Sequence, residues 1–259
     1  MVLTAREVPI LEFDSSSLAL IEPPRVLPRL DDMPEHCVLC FFQEVIKAAC
    51  DAAGAQVIYR LGSEVGRNPV YVLEVEGQRV ALMHPGVGAP LAGAFLDELI
   101  ALGARKFIAC GGAGVLNGDL AVGHVVVPTS AVRDEGTSYH YLPPSREVAA
   151  DAAAIDAIGR TLDAHHVPYV LGKTWTTDAI YRETPARIAL RRAEGCLTVE
   201  MEAAAFFAVA QFRGVAFGQI LYSGDDLSGD EWDGRSWIRG QASTREKLLW
   251  LALESCLKL

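Results

Sequence analysis

The chain has 259 residues, a formal net charge of −10 and 51% hydrophobic residues. That length allows one domain with a large core, while the acidity excludes the basic stripe that nucleic-acid binders use to neutralise phosphates. No uninterrupted apolar run reaches the roughly 18 residues of a membrane span. Met1–Asp14 lacks the basic-then-apolar pattern of a secretory signal, so the expected compartment is the cytoplasm and the six cysteines are expected as reduced thiols. Lys and Arg are scattered singly; the densest pair, Arg191 and Arg192, reads as a solvated helix face. A small molecule is the expected partner, with no nucleic acid and no membrane.

Residues 1–35 carry Pro9, Pro23, Pro24, Pro28 and Pro34 and read as an irregular arm laid over the domain or a neighbouring subunit. The domain proper runs over 36–259. Cys37–Phe42 reads as a strand and Gln43–Ala53 as a helix closed by Gly54. Val70–Val75 and Arg79–Met83 read as strands joined by Glu76-Gly77-Gln78. His84 to Pro90 then leads into a helix over Leu91–Leu102, with proline at its first turn and Gly103 past its end. Lys106–Cys110 is a buried-type strand running into a glycine-rich turn, Gly111-Gly112-Ala113-Gly114. Beyond it, strands are expected over His124–Val127, Tyr169–Thr174 and Val215–Tyr222. Helices are expected over Ala149–His165, Met201–Phe212 and Thr244–Leu257. The alternation shows no linker and no repeat, which predicts one layered α/β domain.

Ligands of such sheets bind beyond the strand ends, where glycines let backbone N–H groups approach an anion. The exits at Gly86/Gly88 and at Gly111/Gly112/Gly114 suit that role, although glycine serves tight turns and close packing equally well. No G-x-G-x-x-G precedes a helix, so a dinucleotide fits poorly. Val199-Glu200-Met201-Glu202-Ala203-Ala204-Ala205 places two carboxylates around a methionine at the start of a very apolar helix. They either complement the helix dipole, or one accepts hydrogen bonds from a sugar diol while Met201 packs on the sugar. Ile220-Leu221-Tyr222-Ser223-Gly224-Asp225-Asp226 brings an acid to a strand end, as a turn or as a proton donor to a departing base. Cys37-x-x-Cys40 lies inside a strand with its side chains on opposite faces and no second ligand pair, so no metal site is expected.

These segments resemble the nucleoside phosphorylase/nucleosidase superfamily, in order, from about Cys37 to the C-terminus. Val199–Ala205 is similar to its ribose-binding signature, and Ser223–Asp225 to its strand-end Ser-Asp, with Gly224 inserted. Gly118-Asp119 through His140 is similar to a segment of the uridine phosphorylases. Trp175-Thr176-Thr177-Asp178-Ala179-Ile180-Tyr181 resembles the base-pocket loop. The resemblance implies a single-domain three-layer α/β sandwich with a central mixed β-sheet and a homo-oligomer, dimer or hexamer. It implies that Glu202 binds the ribose hydroxyls, that Met201 packs on the sugar and that Glu200 lines the same pocket. Asp225 is then the acid at the base, with Asp226 as fallback, and Ile180 makes apolar contact with the base. Arg182-Glu183-Thr184-Pro185-Ala186-Arg187 offers no clean counterpart of the uracil-binding Gln and Arg.

The phosphate side departs from the family pattern. Phe41-Phe42-Gln43-Glu44 stands where a Gly-Asp-Pro-x-Arg turn is usual, Ala109 where an arginine is usual, and Gly112 near the usual Ser or Thr. Losing two arginines matters because phosphate favours a bidentate planar fork. Phosphate could instead use backbone N–H groups at Gly86, Gly88, Gly111 and Gly112, helped by Arg67, placed to reach a neighbouring subunit, or by Arg133. Alternatively the acceptor is water, activated by Glu44 as in the hydrolytic nucleosidases. The expectation is a phosphorylase releasing free base and ribose 1-phosphate, with inorganic phosphate as co-substrate and no cofactor. The alternatives are a Glu44-dependent nucleosidase and a non-catalytic nucleoside-binding protein.

Overall fold

The computed structural model describes residues 3–235 and 242–259. Its strands are β1 (His36–Cys40), β2 (Gln56–Ser63), β3 (Gly66–Val75), β4 (Gln78–Met83), β5 (Lys106–Val115), β6 (Val125–Asp134), β7 (Glu147–Ala149), β8 (Tyr169–Thr177), β9 (Cys196–Glu200) and β10 (Ala216–Asp226). The helices are α1 (Pro23–Val26), α2 (Gln43–Ala53), α3 (Ala89–Leu102), α4 (Ser138–Tyr141), α5 (Ala152–Ala164), α6 (Pro185–Ala193), α7 (Ala203–Arg213) and α8 (Ala242–Leu257).

One mixed sheet follows the order β10-β6-β8-β9-β5-β1-β4-β3-β2, and β10 also pairs with β5. This second pairing curls β5, β10, β6, β8 and β9 into a closed ring, which removes their free edges. Strands β1 to β4 continue from the ring as an open wing. Helices cover both faces. Cys37, Leu39, Phe107 and Phe217 pack with α3 and α7 on one side, and Val38, Cys40 and Ile108 pack with α2, α5 and α8 on the other. The two-residue period of β1 thus sends Cys37 and Cys40 into different cores, and no ion can bridge them.

Helix α7 is buried from Ala203 to Ala210, as expected of a helix apolar on all sides. Phe206 stacks on Phe217 at 4.8 Å, and Phe107 on Phe217 at 6.2 Å. Truncating a buried phenylalanine such as Phe206 to alanine would cost about 3–5 kcal/mol. Because α7 begins just after the end of β9, this packing also fixes that strand end.

Several expectations are corrected. Residues Gly111–Gly114 are strand, not turn: β10 continues beside β5 as far as Asp226↔Val115, and β9 pairs with Gly114 and Val115. The glycines instead admit neighbours, since a Cβ at Gly111 would lie 2.9 Å from the Phe41 ring and one at Gly114 2.6 Å from Leu227. The helix expected from Ala149 starts at Ala152, because Glu147–Ala149 pairs with β6 and Asp151 accepts the Ala154 N–H (3.0 Å) as a cap. Arg191 is buried rather than solvated, bonded to Asp134 (3.0 Å) and Glu194 (2.9 Å). Residues 3–35 form a largely irregular arm anchored where Arg213 bridges Glu22 (3.2 Å) and Asp97 (2.7 Å); Met1 and Val2 of that arm lie outside the described residues. Among the described residues no helix is long and apolar enough to cross a membrane.

Candidate active site

The ends of β5, β9 and β10 surround a cavity of about 300 Å³. At one end Glu200 closes β9 and Glu202 opens α7, both buried. Glu200 accepts the Thr176 hydroxyl (2.6 Å) and the N–H groups of Glu202 (2.7 Å) and Ala203 (2.6 Å). Its charge therefore sits on the α7 N-terminus, where the helix dipole favours it. Glu202 lies beside it, on the cavity wall with Met201. The Gly88 N–H donates to Glu202 Oε1 at 2.6 Å. Gly88 can aim its N–H this way because its φ of +89° is open to glycine and strained for other residues. Burial first, then the neighbouring Glu200 charge, pushes Glu202 up to about 8; burial likewise raises Glu200. Hydroxyl donors from a ligand would stabilise the ionised Glu202 and lower it again.

A second side of the cavity carries Ile180, Glu183 and Asp225. The register of β10 against β5 shifts between Ser223 and Asp226, where Gly224 is inserted. Asp225 consequently lines the cavity and accepts the Trp232 indole N–H (2.7 Å). Asp226 turns away to Arg235 and the Ser228 N–H (2.7 Å). Glu183 is half-buried, and burial together with the Asp225 charge pushes it up to about 7. Ile180 is 53% exposed, at the rim.

The cavity wall also carries Phe41, Gly111, Gln219 and Arg245. Arg245 donates to Glu44 (2.7 Å) and to the Tyr222 hydroxyl (3.3 Å), and lies over the Phe42 ring at 5.0 Å. Burial would raise the exposed Glu44 carboxyl, but the Arg245 guanidinium holds it below the usual range.

Of the phosphate ligands anticipated from sequence, Gly111 and Gly112 line the cavity, while Arg133 and, within one chain, Arg67 do not. Arg67 is exposed in the β2–β3 hairpin, beside a different groove that includes Tyr59 and Glu98. Arg133 is buried, its guanidinium spent on Ser138 (2.8 Å), Ser145 (2.7 Å) and the carbonyls of Pro143 (2.7 Å) and Leu142 (3.1 Å). The Gly88 N–H is committed to Glu202, and the Gly86 N–H donates to His84 Nδ1 (3.0 Å). Gly111 faces Phe41, and Gly112 faces the Tyr222 ring.

Glu183, Gln219 and Arg245 escaped the sequence reading. Gln219 had a usable signal, a single amide inside an apolar strand, and buried polar groups demand partners. Arg245 had none, since its partner Glu44 lies 201 positions away.

Comparison with known proteins gives a consistent picture. The family model described as the phosphorylase superfamily matches residues 35–252. A guanosine phosphorylase of Halorubrum lacusprofundi is 30% identical over 145 residues, covering 56% of this chain and 60% of that protein. A uridine phosphorylase of Treponema pallidum is 32% identical over 153 residues, covering 55% of this chain and 59% of that protein. The chain thus matches about three-fifths of the length of these relatives. Two solved structures share the fold. The AMP nucleosidase of Bacteroides thetaiotaomicron superposes with a TM-score of 0.72 at 23% identity, covering 90% of this chain and 91% of that one. The uridine phosphorylase of Vibrio fischeri superposes with a TM-score of 0.77 at 21% identity, covering 93% and 99%.

Proposed function

The chain belongs to the phosphorylase superfamily, and from that premise we propose that it cleaves the N-glycosidic bond of a nucleoside with water as acceptor, releasing free base and free pentose. One observation carries the choice of water. The side of the cavity where phosphate would be held is walled by the Phe41 ring against Gly111, and Arg245, the one arginine lining the cavity among the described residues, is engaged by Glu44 and Tyr222. A dianion placed against an aromatic wall loses hydration without gaining the guanidinium forks that would replace it.

The remaining chemistry follows from where charge develops. As the bond to the base stretches, positive charge grows on the sugar, and Glu202 is the carboxylate beside the ribose hydroxyls, with Met201 packed on the ring. Such preorganised electrostatics stabilises the transition state more than the ground state. The leaving base needs a proton, and the Asp225–Glu183 pair supplies it. Of the two, Glu183 is the carboxyl whose value of about 7 lets it hold a proton at neutral pH.

A second reading is phosphorolysis, favoured by the phosphorylase relatives and by the presence of Arg245 on the cavity wall. There Arg67 would come from a second copy of the chain, and ribose 1-phosphate would be the product. Incubating the protein with purine and pyrimidine nucleosides, with and without phosphate, separates the two. Hydrolysis gives base and free pentose at a rate indifferent to phosphate, phosphorolysis a phosphate-dependent rate. No base release from any nucleoside would leave the third possibility, a binding protein.

A further inference from the structure

One polar atom on the cavity wall stands apart. Gln219 is 1% exposed on β10, and no donor among the described residues reaches its Oε1. Buried acceptors in native proteins are almost always paired, so an unpaired one on a cavity-lining residue marks a place for a ligand donor.

The strand register fixes where this amide sits. Along the parallel β5–β10 pair, Phe107 opposes Phe217, Ala109 opposes Gln219 and Gly111 opposes Leu221. Phe107 and Phe217 stack at 6.2 Å, so the two-residue period puts Ala109 and Gln219 on that same face. Ala109 and Gly111 carry almost no side chain. The space they leave is bounded by Phe41, which touches Gly111, and Gln219 reaches the same cavity. This is the acceptor side of the site.

We propose that Gln219 positions the attacking water, its Oε1 accepting one O–H so that a lone pair on the water faces the anomeric carbon. The inference rests on the hydrolytic reading above. The amide oxygen carries partial negative charge and requires a donor; water meets it with an O–H and no charge, whereas the phosphate dianion has one O–H and brings charged oxygens against the same amide oxygen and the Phe41 ring. In the step itself the water oxygen bonds to the anomeric carbon as the bond to the base breaks, and that electron pair leaves with the base. The base takes its proton from the Asp225–Glu183 side. The water keeps the hydrogen held by Gln219 and loses the other to Glu44, the carboxylate bonded at 2.7 Å to Arg245, which itself lines the cavity. Oxygen newly bonded to the anomeric carbon is strongly acidic while it carries two hydrogens, so even the weak base Glu44 suffices.

Two variants test this, Gln219→Met, which keeps the volume and removes the polar atoms, and Gln219→Ala, which opens the hollow. Both are expected to release base with KM within about threefold of the unaltered protein and kcat lowered about 100-fold. Gln219→Met should keep or raise Tm, because it removes an unpaired buried acceptor. In water–methanol mixtures Gln219→Ala should raise the ratio of methyl pentoside to free pentose several-fold. Unchanged kcat in both variants would overturn the proposal while leaving hydrolysis intact. So would a raised KM at constant kcat, which would make Gln219 a sugar-binding group. A lowered Tm with an unchanged methanol ratio would make it a packing residue only, and also overturn it. Pentose 1-phosphate from the unaltered protein, read before any variant, would overturn the hydrolytic reading and this inference together.

Discussion

The two ends of the cavity are built on opposite principles. At the Glu202 end, a hydroxyl and three backbone N–H groups, contributed by β8, α7 and the loop after β4, converge on two buried carboxylates. At the Phe41 end, an aromatic ring, Gly111 and Gln219, whose amide oxygen has no partner among the described residues, line the same space. Two carboxyl groups are thus gathered where a sugar cation would develop, ionising as a ligand's hydroxyls donate to them, and at the other end the guanidinium of Arg245 is already paired with Glu44. Within one fold, the sugar chemistry can be kept while the acceptor changes.

The largest expected effect comes from neutralising the first end. Glu202→Gln is expected to lower kcat/KM about 1,000-fold, measured with the best nucleoside. The same change should stabilise the protein at alkaline pH. Glu202 is raised from an ordinary 4.5 to about 8, so the folded state binds the extra proton and stability falls as pH rises between those values. Above about pH 8 the full penalty is present, and Glu202→Gln should raise Tm there by several degrees, roughly 1–2 kcal/mol, with little effect near pH 5. Retained activity, or a Tm gain confined to low pH, would break the contrast.

Next in size is the base side. Asp225→Asn should lower kcat about 100-fold. Because Glu183 must hold a proton to serve as acid and is raised to about 7, kcat should decline as pH rises through about 7. Glu183→Gln should remove that limb of the profile. A profile unaltered by Glu183→Gln would assign the limb to another group.

Thr176→Val tests the scaffold behind the first end. Thr176 donates to Glu200 and accepts the Ala204 N–H (2.9 Å), so urea unfolding should show a loss of about 1–3 kcal/mol. The smallest effect is expected from Arg67→Ala. If the acceptor is water, activity should stay within about twofold, whereas a large loss restored by high phosphate would return Arg67 to the acceptor site.

The uneven legibility of the sequence mirrors the same division. Glu200, Met201, Glu202 and Asp225 line the cavity from two short segments at strand ends, so each segment could be read locally. The helix over Gln43–Ala53, with Gly54 closing it at a φ of +62°, was equally local. The acceptor side draws Phe41, Gly111, Gln219 and Arg245 from four distant segments, brought together by the pairing of β1 and β10 with β5 and by the docking of α8. Such pairing leaves no periodic trace in the strands. The glycines at 111, 112 and 114 misled for a related reason, since the side chains that need the space, Phe41, Tyr222 and Leu227, lie in distant segments of the chain. Arg133 looked available because nothing local revealed that the segment from Ser138 to Ser145 folds back onto its guanidinium.

The most direct test of the contrast between the two ends is to run base release at saturating phosphate in water enriched in heavy oxygen, with immediate chemical reduction of the sugar and mass analysis. Hydrolysis predicts a reduced pentose carrying one heavy oxygen at its former anomeric carbon, formed at the same rate without phosphate. Pentose 1-phosphate free of the label would contradict it, and would mean that an anion is held at the Phe41 end after all.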